Sequence, residues 1–341
     1  MGGNDKILLA HGGGGRLTQQ LIDEYIVPAF SNASLNDLGD AASLDLSSNK
    51  ICFTTDSYVV KPLFFAGADI GKLAVCGTVN DLAVSGAKPF AISMGLIIEE
   101  GLELAAFKTI IESAATAARA AGVFIAAGDT KVVEHGSADK LFINTSGIGT
   151  RIPGLDVGFS RIAQGDVILI NGSIGDHGMA ILAGREGLRF ESNIQSDCAP
   201  LNGIIQTLYE DDCLRPAIKF MRDATRGGVA AVLNEIARSA DVVGEIEETK
   251  LPINPAVLAA AEMLGFDLLN VANEGKFIAI VQKEFAQKAL EIMRSHPLGK
   301  DAAIIGQVGP QGDETIVELA TAIGGRRIIQ MPYGRELPRI C

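Results

Sequence analysis

Three aspartates stand among apolar and glycine residues in the first half of the chain: Asp56 in Thr55-Asp56-Ser57-Tyr58, Asp81 in Asn80-Asp81, and Asp129 in Gly128-Asp129-Thr130-Lys131. A magnesium ion on a nucleotide takes one or two carboxylates plus phosphate oxygens and water, so carboxylates drawn from three elements could build such a site. Any one of them alone reads equally well as a cap at the end of an element. Asp81 argues against capping, because an acidic side chain in a helix of Ala, Val, Cys and Gly is costly without a cationic partner. Lys131 and Glu274, the latter in Asn273-Glu274-Gly275-Lys276, are flanked by apolar sequence that shifts pKa values toward general acid and base work.

Glycine supplies the second kind of chemistry. His11-Gly12-Gly13-Gly14-Gly15 can lay successive backbone N–H groups against a phosphate as a lid, and the helical pattern Leu17–Tyr25 places a helix N-terminus behind it; the alternative is an N-terminal linker. Asp223-Ala224-Thr225-Arg226-Gly227-Gly228 opens another helix with the same anion-binding geometry. The loop Gly172–Gly178 carries Asp176 and His177, the histidine a ligand, a base or a hydrogen-bonding spacer. Cys341 is the last residue, behind Pro338-Arg339-Ile340, where a thiol has no packing reason to be. No phosphate-binding loop with a lysine, GxGxxG, GxSxG or HExxH pattern is present, which removes the commonest nucleotide, hydrolase and zinc-protease readings.

These residues need elements to hold them. Strands are expected at Ile51–Thr55 and Val123–Ala127, each ending at an aspartate, with a small-residue helix over Gly71–Ser85 and an amphipathic one over Glu103–Ala121 whose buried stripe is Phe107, Ile110, Ile111, Ala114 and Ala118. Leu141–Ile148, Val167–Ile170 and Phe277–Val281 read as further strands. The Gly- and Pro-rich stretch Gly149–Gly158 puts a boundary near residue 155, giving an N-terminal domain (1–155), a C-terminal domain (156–331) and a flexible tail (332–341). The fold class is α/β (α+β). With 341 residues and 48% hydrophobic content the chain can bury two cores. A formal charge of −12, no basic tract, no tryptophan and only strand-length apolar runs argue against nucleic acid and membrane, and no signal-peptide pattern is present, so a cytoplasmic location is expected. The five cysteines show no CxxC spacing and suggest neither a disulfide framework nor a zinc site.

Taken together, Thr55–Val59, Gly71–Ala87, Gly128–Val132, Gly175–Gly178, Arg222–Gly228, Asn273–Lys276 and the ending Pro338–Cys341 resemble the carbamoyl dehydratases of nickel–iron hydrogenase maturation, the HypE family. The acidic and glycine motifs alone resemble the wider superfamily of aminoimidazole ribonucleotide (AIR) synthetase, selenophosphate synthetase and thiamine-phosphate kinase; the Pro-Arg-Ile-Cys ending narrows it. Gly13 departs from the serine expected in the glycine loop. The resemblance implies a two-domain AIR-synthetase-like architecture and a homodimer whose N-terminal domains pair into a β-barrel. It implies ATP and Mg²⁺ as cofactors, bound by His11, Gly12, Gly14, Gly15, Asp56, Asn80, Asp81, Asp129, Thr130, Asp176, Asp223 and Arg226, with Asp56, Asp81 and Asp129 on the metal. Cys341 would carry a carbamoyl group from the carbamoyltransferase HypF, Lys131 and Glu274 would move protons, and a HypC–HypD scaffold would accept the cyanide. A superfamily sibling phosphorylating a small amide or selenide, or an ATP-gated scaffold anchored through Cys341, are the competing readings.

Overall fold

A computed structural model describes residues 6–12, 16–32, 35, 44, 46, 50–185, 194–310, 315–332 and 340–341. The first sheet is built from β1 (Ile51–Tyr58), β2 (Ala87–Glu99), β3 (Phe124–Val133) and β4 (Leu141–Arg151), in the order β1-β4-β2-β3. Helix α1 (Ile70–Val84) precedes β2, and α2 (Leu104–Ala121) crosses from β2 to its parallel neighbour β3. The other two pairings are antiparallel.

The expected α2 stripe is buried, and Gly122, at φ 68°, ends the helix in the left-handed conformation that glycine tolerates best. Helix α1 is apolar on almost every side because it lies between the first sheet and the second half of the chain; Asp69 caps it, accepting from the Gly71 and Lys72 amides at 2.7 and 3.1 Å. The strands differ from expectation at one point that matters: β1 and β3 run on past Asp56 and Asp129, which therefore project from within strands. The apolar run stops there because one face of this sheet is open, with Ile51, Phe53 and Ile97 exposed on it, while Ile92, Met94, Leu96 and Ile98 pack inward.

The second sheet is seven-stranded. In chain order its parts are β5 (Val167–Ile170), α3 (Asp176–Ala183), α4 (Asn202–Glu210), β6 (Ile218–Asp223), α5 (Gly228–Ala240), β7 (Gly244–Glu247), α6 (Pro255–Leu264), β8 (Phe277–Val281), α7 (Ala286–Ser295), β9 (Ala303–Val308), β10 (Val317–Ala320) and β11 (Arg326–Ile328). The strand order is β11-β10-β7-β9-β5-β8-β6, antiparallel except for β10 on β7. Ile168, Ile170, Ile278 and Ile280 face one core with α5 and α6, whereas Val167, Leu169, Phe277 and Val281 face another with α4 and α7. Burial on both faces is why β5 and β8 are continuous apolar runs in the sequence.

Candidate active site

Between β1 and α1 on one side and β6 and α5 on the other lies a cleft of about 600 Å³, with Phe53, Asp56, Asp81, Phe159, Asp223 and Arg226 among its walls. It continues through Asp56, Asp81, Asp223 and Arg226 into a narrow pocket of about 60 Å³ closed by Tyr58, Glu274 and Cys341. Residues more than 280 positions apart in sequence thus meet at one point.

Strand periodicity places the first group. Thr54, Asp56 and Tyr58 alternate onto the face of β1 that meets α1. Thr54 Oγ1 donates to Asp81 Oδ2 at 2.8 Å, and the Tyr58 hydroxyl donates to Asp56 Oδ2 at 3.3 Å. Tyr58 fits only because α1 has glycine at position 77, where a Cβ would overlap the phenol oxygen. Asn80, one residue before Asp81, ties the halves of the chain together: its Nδ2 donates to the carbonyls of Ala199 (3.1 Å) and Glu274 (3.3 Å), and its Oδ1 accepts from Leu201 N (2.7 Å).

Glu274 is fixed by its backbone. Its amide donates to Asp197 Oδ1 at 2.9 Å, its carbonyl accepts from Asn80, and the preceding Asn273 accepts from Gly175 N at 2.8 Å. Behind it, a Cβ at Gly275 would run into the Asp197 carbonyl, so the chain turns there at backbone contact distance. The Glu274 side chain is 2% exposed and its Oε1 has no hydrogen-bond partner, an arrangement that ordinarily costs stability and marks a group kept for another purpose.

Electrostatics follow from burial and like charge. Burial, then the neighbouring Asp81 carboxylate, raise Asp56 to about 6; burial and the same Asp81 charge raise Asp223 to about 7. Burial and the charges of Asp223 and Asp197 push Glu274 well above the ordinary carboxyl range. Arg226 opposes this at Asp56 and Cys341, and Arg222 opposes it at Asp223. Asp56 and Asp81 come within hydrogen-bonding reach of each other, and among the described residues no three His, Cys, Asp or Glu side chains gather to hold an ion alone. A carboxylate pair in a polar cleft suits magnesium carried in on phosphates, which completes its shell with phosphate oxygens and water.

The chain's end occupies the inner pocket. Ile340 is buried in the first core, the Val59 amide donates to the Cys341 main-chain oxygen at 3.3 Å, and His177 Nε2 lies 2.6 Å from the Ile340 carbonyl oxygen. Burial, then the Glu274 charge, push the Cys341 thiol up to about 12.

Of the residues singled out from sequence, the fold gathers Asp56, Asp81, Asp223, Arg226, Glu274 and Cys341. It does not bring Asp129, Thr130 and Lys131 to them within one chain. β3 and β1 are opposite edges of the first sheet, three strand spacings or on the order of 14 Å apart. Asp129 instead accepts from Lys131 Nζ at 3.0 Å, and all three residues border a separate 230 Å³ cavity beside Met94 and Phe30. The expected triad of metal aspartates and the Lys131–Glu274 pair are therefore not assembled in a single chain. Asp176 lies outside the cleft, bonded to Ser173 and raised by burial to about 6. It opens α3 and does not sit in a loop, because Gly175 at φ 85° completes the turn just before it. Asn80 is engaged with backbone. His11 is buried, with Nδ1 accepting from Leu8 N, and Gly12 ends a short 3₁₀ turn. Gly13, Gly14 and Gly15 lie outside the described residues, as do 333–339 of the expected tail.

Sequence reasoning missed Thr54, Tyr58 and Asp197. The first two were findable, since they lie two residues either side of Asp56 and so on its face of a strand. Asp197, far from every motif, carried no such signal.

Profiles of the AIR synthase related protein match this chain in two pieces, the N-terminal domain over residues 38–151 and the C-terminal domain over 163–318. The carbamoyl dehydratase HypE of Escherichia coli (strain K12) is 47% identical over 342 residues, covering 99% of this chain and 100% of that protein. Among solved structures, a hydrogenase maturation protein HypE in complex with ATP superposes with a TM-score of 0.93 at 44% identity, covering 98% of this chain and 99% of that one. HypE in a HypE–HypF complex superposes at 0.79 with 51% identity, covering 92% and 99%. With full-length identity at this level and a two-domain AIR-synthetase-like fold in common, the chain belongs to the HypE carbamoyl dehydratase family.

Proposed function

We propose that this protein uses ATP to dehydrate an S-carbamoyl group on Cys341 to S-cyanate, supplying the cyanide ligand of the nickel–iron hydrogenase iron. The observation that carries the reading is the terminal thiol seated against a buried carboxyl whose Oε1 has no hydrogen-bond partner, at the inner end of a cleft fit for a magnesium nucleotide. A relative binding ATP and sharing 98% coverage supports the choice of nucleotide. The stacked pair Phe159 and Phe220, with centroids 4.4 Å apart, offers an apolar wall for the base, while Thr225 and Arg226 line the passage to the pocket for the phosphates.

A thiocarbamate amide is a weak nucleophile. Its carbonyl oxygen bonds to the γ-phosphorus as the bond to ADP breaks, while one N–H proton passes to a base. The C–O bond then breaks with its electron pair leaving on phosphate, the second N–H proton departs, and the carbon is left triply bonded to nitrogen. Glu274 would do this proton work, and burial makes its ionised form a stronger base than a solvated carboxylate. Magnesium, held by Asp56 and Asp81, would neutralise the phosphates. The pocket beside the thiol has room for a group of a few heavy atoms, and a seated thiol held neutral cannot serve as a nucleophile there. Loading therefore takes place with the tail elsewhere. A relative bound to HypF suggests the donor; a HypC–HypD scaffold as acceptor, and a homodimer closing a barrel over the open face with Ile51, Phe53 and Ile97, complete the proposal, as do domain limits near 155 and 331. Lys131, paired with Asp129 outside the pocket, has no part in the chemistry of one isolated chain.

The test is the mass of the C-terminal peptide after S-carbamoylation. Loss of one water only with Mg·ATP supports the dehydratase, and Cys341→Ala should abolish it while ATP still binds. ATP turnover on a small amide or selenide in Cys341→Ala would favour a sibling kinase or synthetase. ATP-dependent partner binding with an unchanged tail mass would favour a scaffold.

A further inference from the structure

A tail that delivers its thiol to one pocket and leaves again needs a clasp that is specific but weak. We propose that His177 is that clasp: a positioning residue whose neutral imidazole donates Nε2–H to the Ile340 carbonyl and so sets the register of the thiol one residue on.

The partners on the two sides of the ring fix which nitrogen carries the proton. The Cys198 amide donates to Ser196 Oγ at 3.1 Å, and Ser196 Oγ lies 2.9 Å from His177 Nδ1. The Ile340 carbonyl can only accept, so Nε2 carries the hydrogen, and Nδ1 of the neutral ring accepts from the Ser196 hydroxyl, whose own lone pair takes the Cys198 amide. Burial lowers the His177 pKa, which keeps the ring neutral, as this pattern requires. The ring is fully buried and meets Phe65 edge-on, centroids 5.5 Å apart, so its orientation is set by packing as well.

The clasp shares its footing with the proposed base. Gly178 N, next in the chain after His177, donates to the Ala272 carbonyl at 3.1 Å, two residues before Glu274. One rigid turn of α3 thus holds both the tail carbonyl and the loop that aims the carboxyl. Among the described residues the other bond to the tail comes from backbone, the Val59 amide to the Cys341 main-chain oxygen, which makes His177 the side chain to exchange. A single neutral hydrogen bond changes an equilibrium by about a factor of ten, enough to bias the seated state without trapping it.

The inference deepens the dehydratase reading, but its first test uses neither ATP nor a carbamoyl group. Iodoacetamide labelling of the free protein, read by mass for each cysteine peptide, reports seating of the tail: Cys341 should react slowly while exposed Cys213 reacts at once. His177→Phe keeps a ring against Phe65 and removes the donor. It should speed Cys341 labelling roughly tenfold, with buried Cys76 and Cys198 still protected as proof of an intact fold. His177→Gln keeps an N–H donor at the same reach and should label close to the wild-type rate. Unchanged Cys341 labelling in His177→Phe, or labelling in His177→Gln as fast as in His177→Phe, overturns the clasp. Should His177→Phe expose Cys76 and Cys198, His177→Gln decides alone: protection of Cys341 upholds the clasp, and rapid labelling within an intact fold refutes it. A wild-type tail that is protected yet never loses water would leave the clasp standing and remove the dehydratase.

Discussion

Replacing Glu274 by glutamine tests the chemistry with little disturbance to the structure around it. The backbone bonds that hold this residue, to Asp197 and Asn80, do not involve its side chain, and Oε1 has no partner to lose. The substitution keeps shape and removes a proton acceptor, so ATP binding should persist while water loss from the S-carbamoyl tail slows by roughly a hundredfold or more, the usual worth of a general base. The same change should stabilise the fold. Burial and like charges raise the carboxyl's folded-state pKa, so the wild type is least penalised below the ordinary value of 4.5 and loses stability as pH rises toward the folded value. The melting temperature of Glu274→Gln should therefore match wild type in acid and exceed it increasingly as pH rises. The assay is single-turnover mass spectrometry of the loaded protein, quenched over time at saturating Mg·ATP. A dehydration rate within roughly a factor of three of wild type would remove Glu274 from the proton transfer, whatever the melting curves show.

Three further outcomes follow from other parts of the structure. Asp176 rises from 3.8 to about 6 on burial, so it withdraws stability as pH climbs through that window; Asp176→Asn should lack that step, worth on the order of 3 kcal/mol in denaturant titrations, and an unchanged pH profile would contradict it. Gly77→Ala puts a methyl group where the Tyr58 hydroxyl lies and should cost about 1–3 kcal/mol by chemical denaturation, with neutrality showing that Tyr58 moves freely. Chelating magnesium should weaken ATP binding at least roughly tenfold by calorimetry, because bare phosphates would face Asp56, Asp81 and Asp223, which the arginines of the cleft, Arg151, Arg222 and Arg226, only partly offset; equal affinity with and without the metal would exclude the carboxylate pair as its holder.

What the sequence makes legible here tracks how each element is buried. Helix α2 shows one apolar stripe and a terminal glycine because one face is covered, and β5 and β8 are unbroken apolar runs because both faces are. Strand β2, central to the first sheet, escapes such reading: Pro89 and the irregular register between Pro89 and Ala91 break its alternation. Helix α3 hides in a glycine-rich stretch whose turn residues mask the helical ones. At the site, Asp56, Asp81, Asp223, Arg226, Glu274 and Cys341 were each visible as a polar group out of place among glycines or apolar residues. Their grouping was not, since it depends on strand order. The same strand order is what separates Asp129 and Lys131 from the others, a separation that motif spacing has no means to express.

On the proposed mechanism, the surroundings of the Cys341 thiol set a condition on where each step can occur. Attack on a carbamoyl donor requires a thiolate. In the seated position the thiol's pKa rises from 9 to about 12, which lowers the thiolate fraction roughly a thousandfold at any pH below both values. The cause is the same buried, carboxylate-rich surrounding that raises the Glu274 carboxyl. A fixed cysteine would have to load where loading is suppressed, or dehydrate where its base is solvated and weak. The two steps therefore demand opposite electrostatic surroundings for one sulfur atom. On that mechanism Cys341, held among the described residues by hydrogen bonds at the main-chain oxygens of Ile340 and Cys341, would pass between the two, and an S-carbamoyl group, with no charge of its own to desolvate, would fit the inner pocket better than a thiolate.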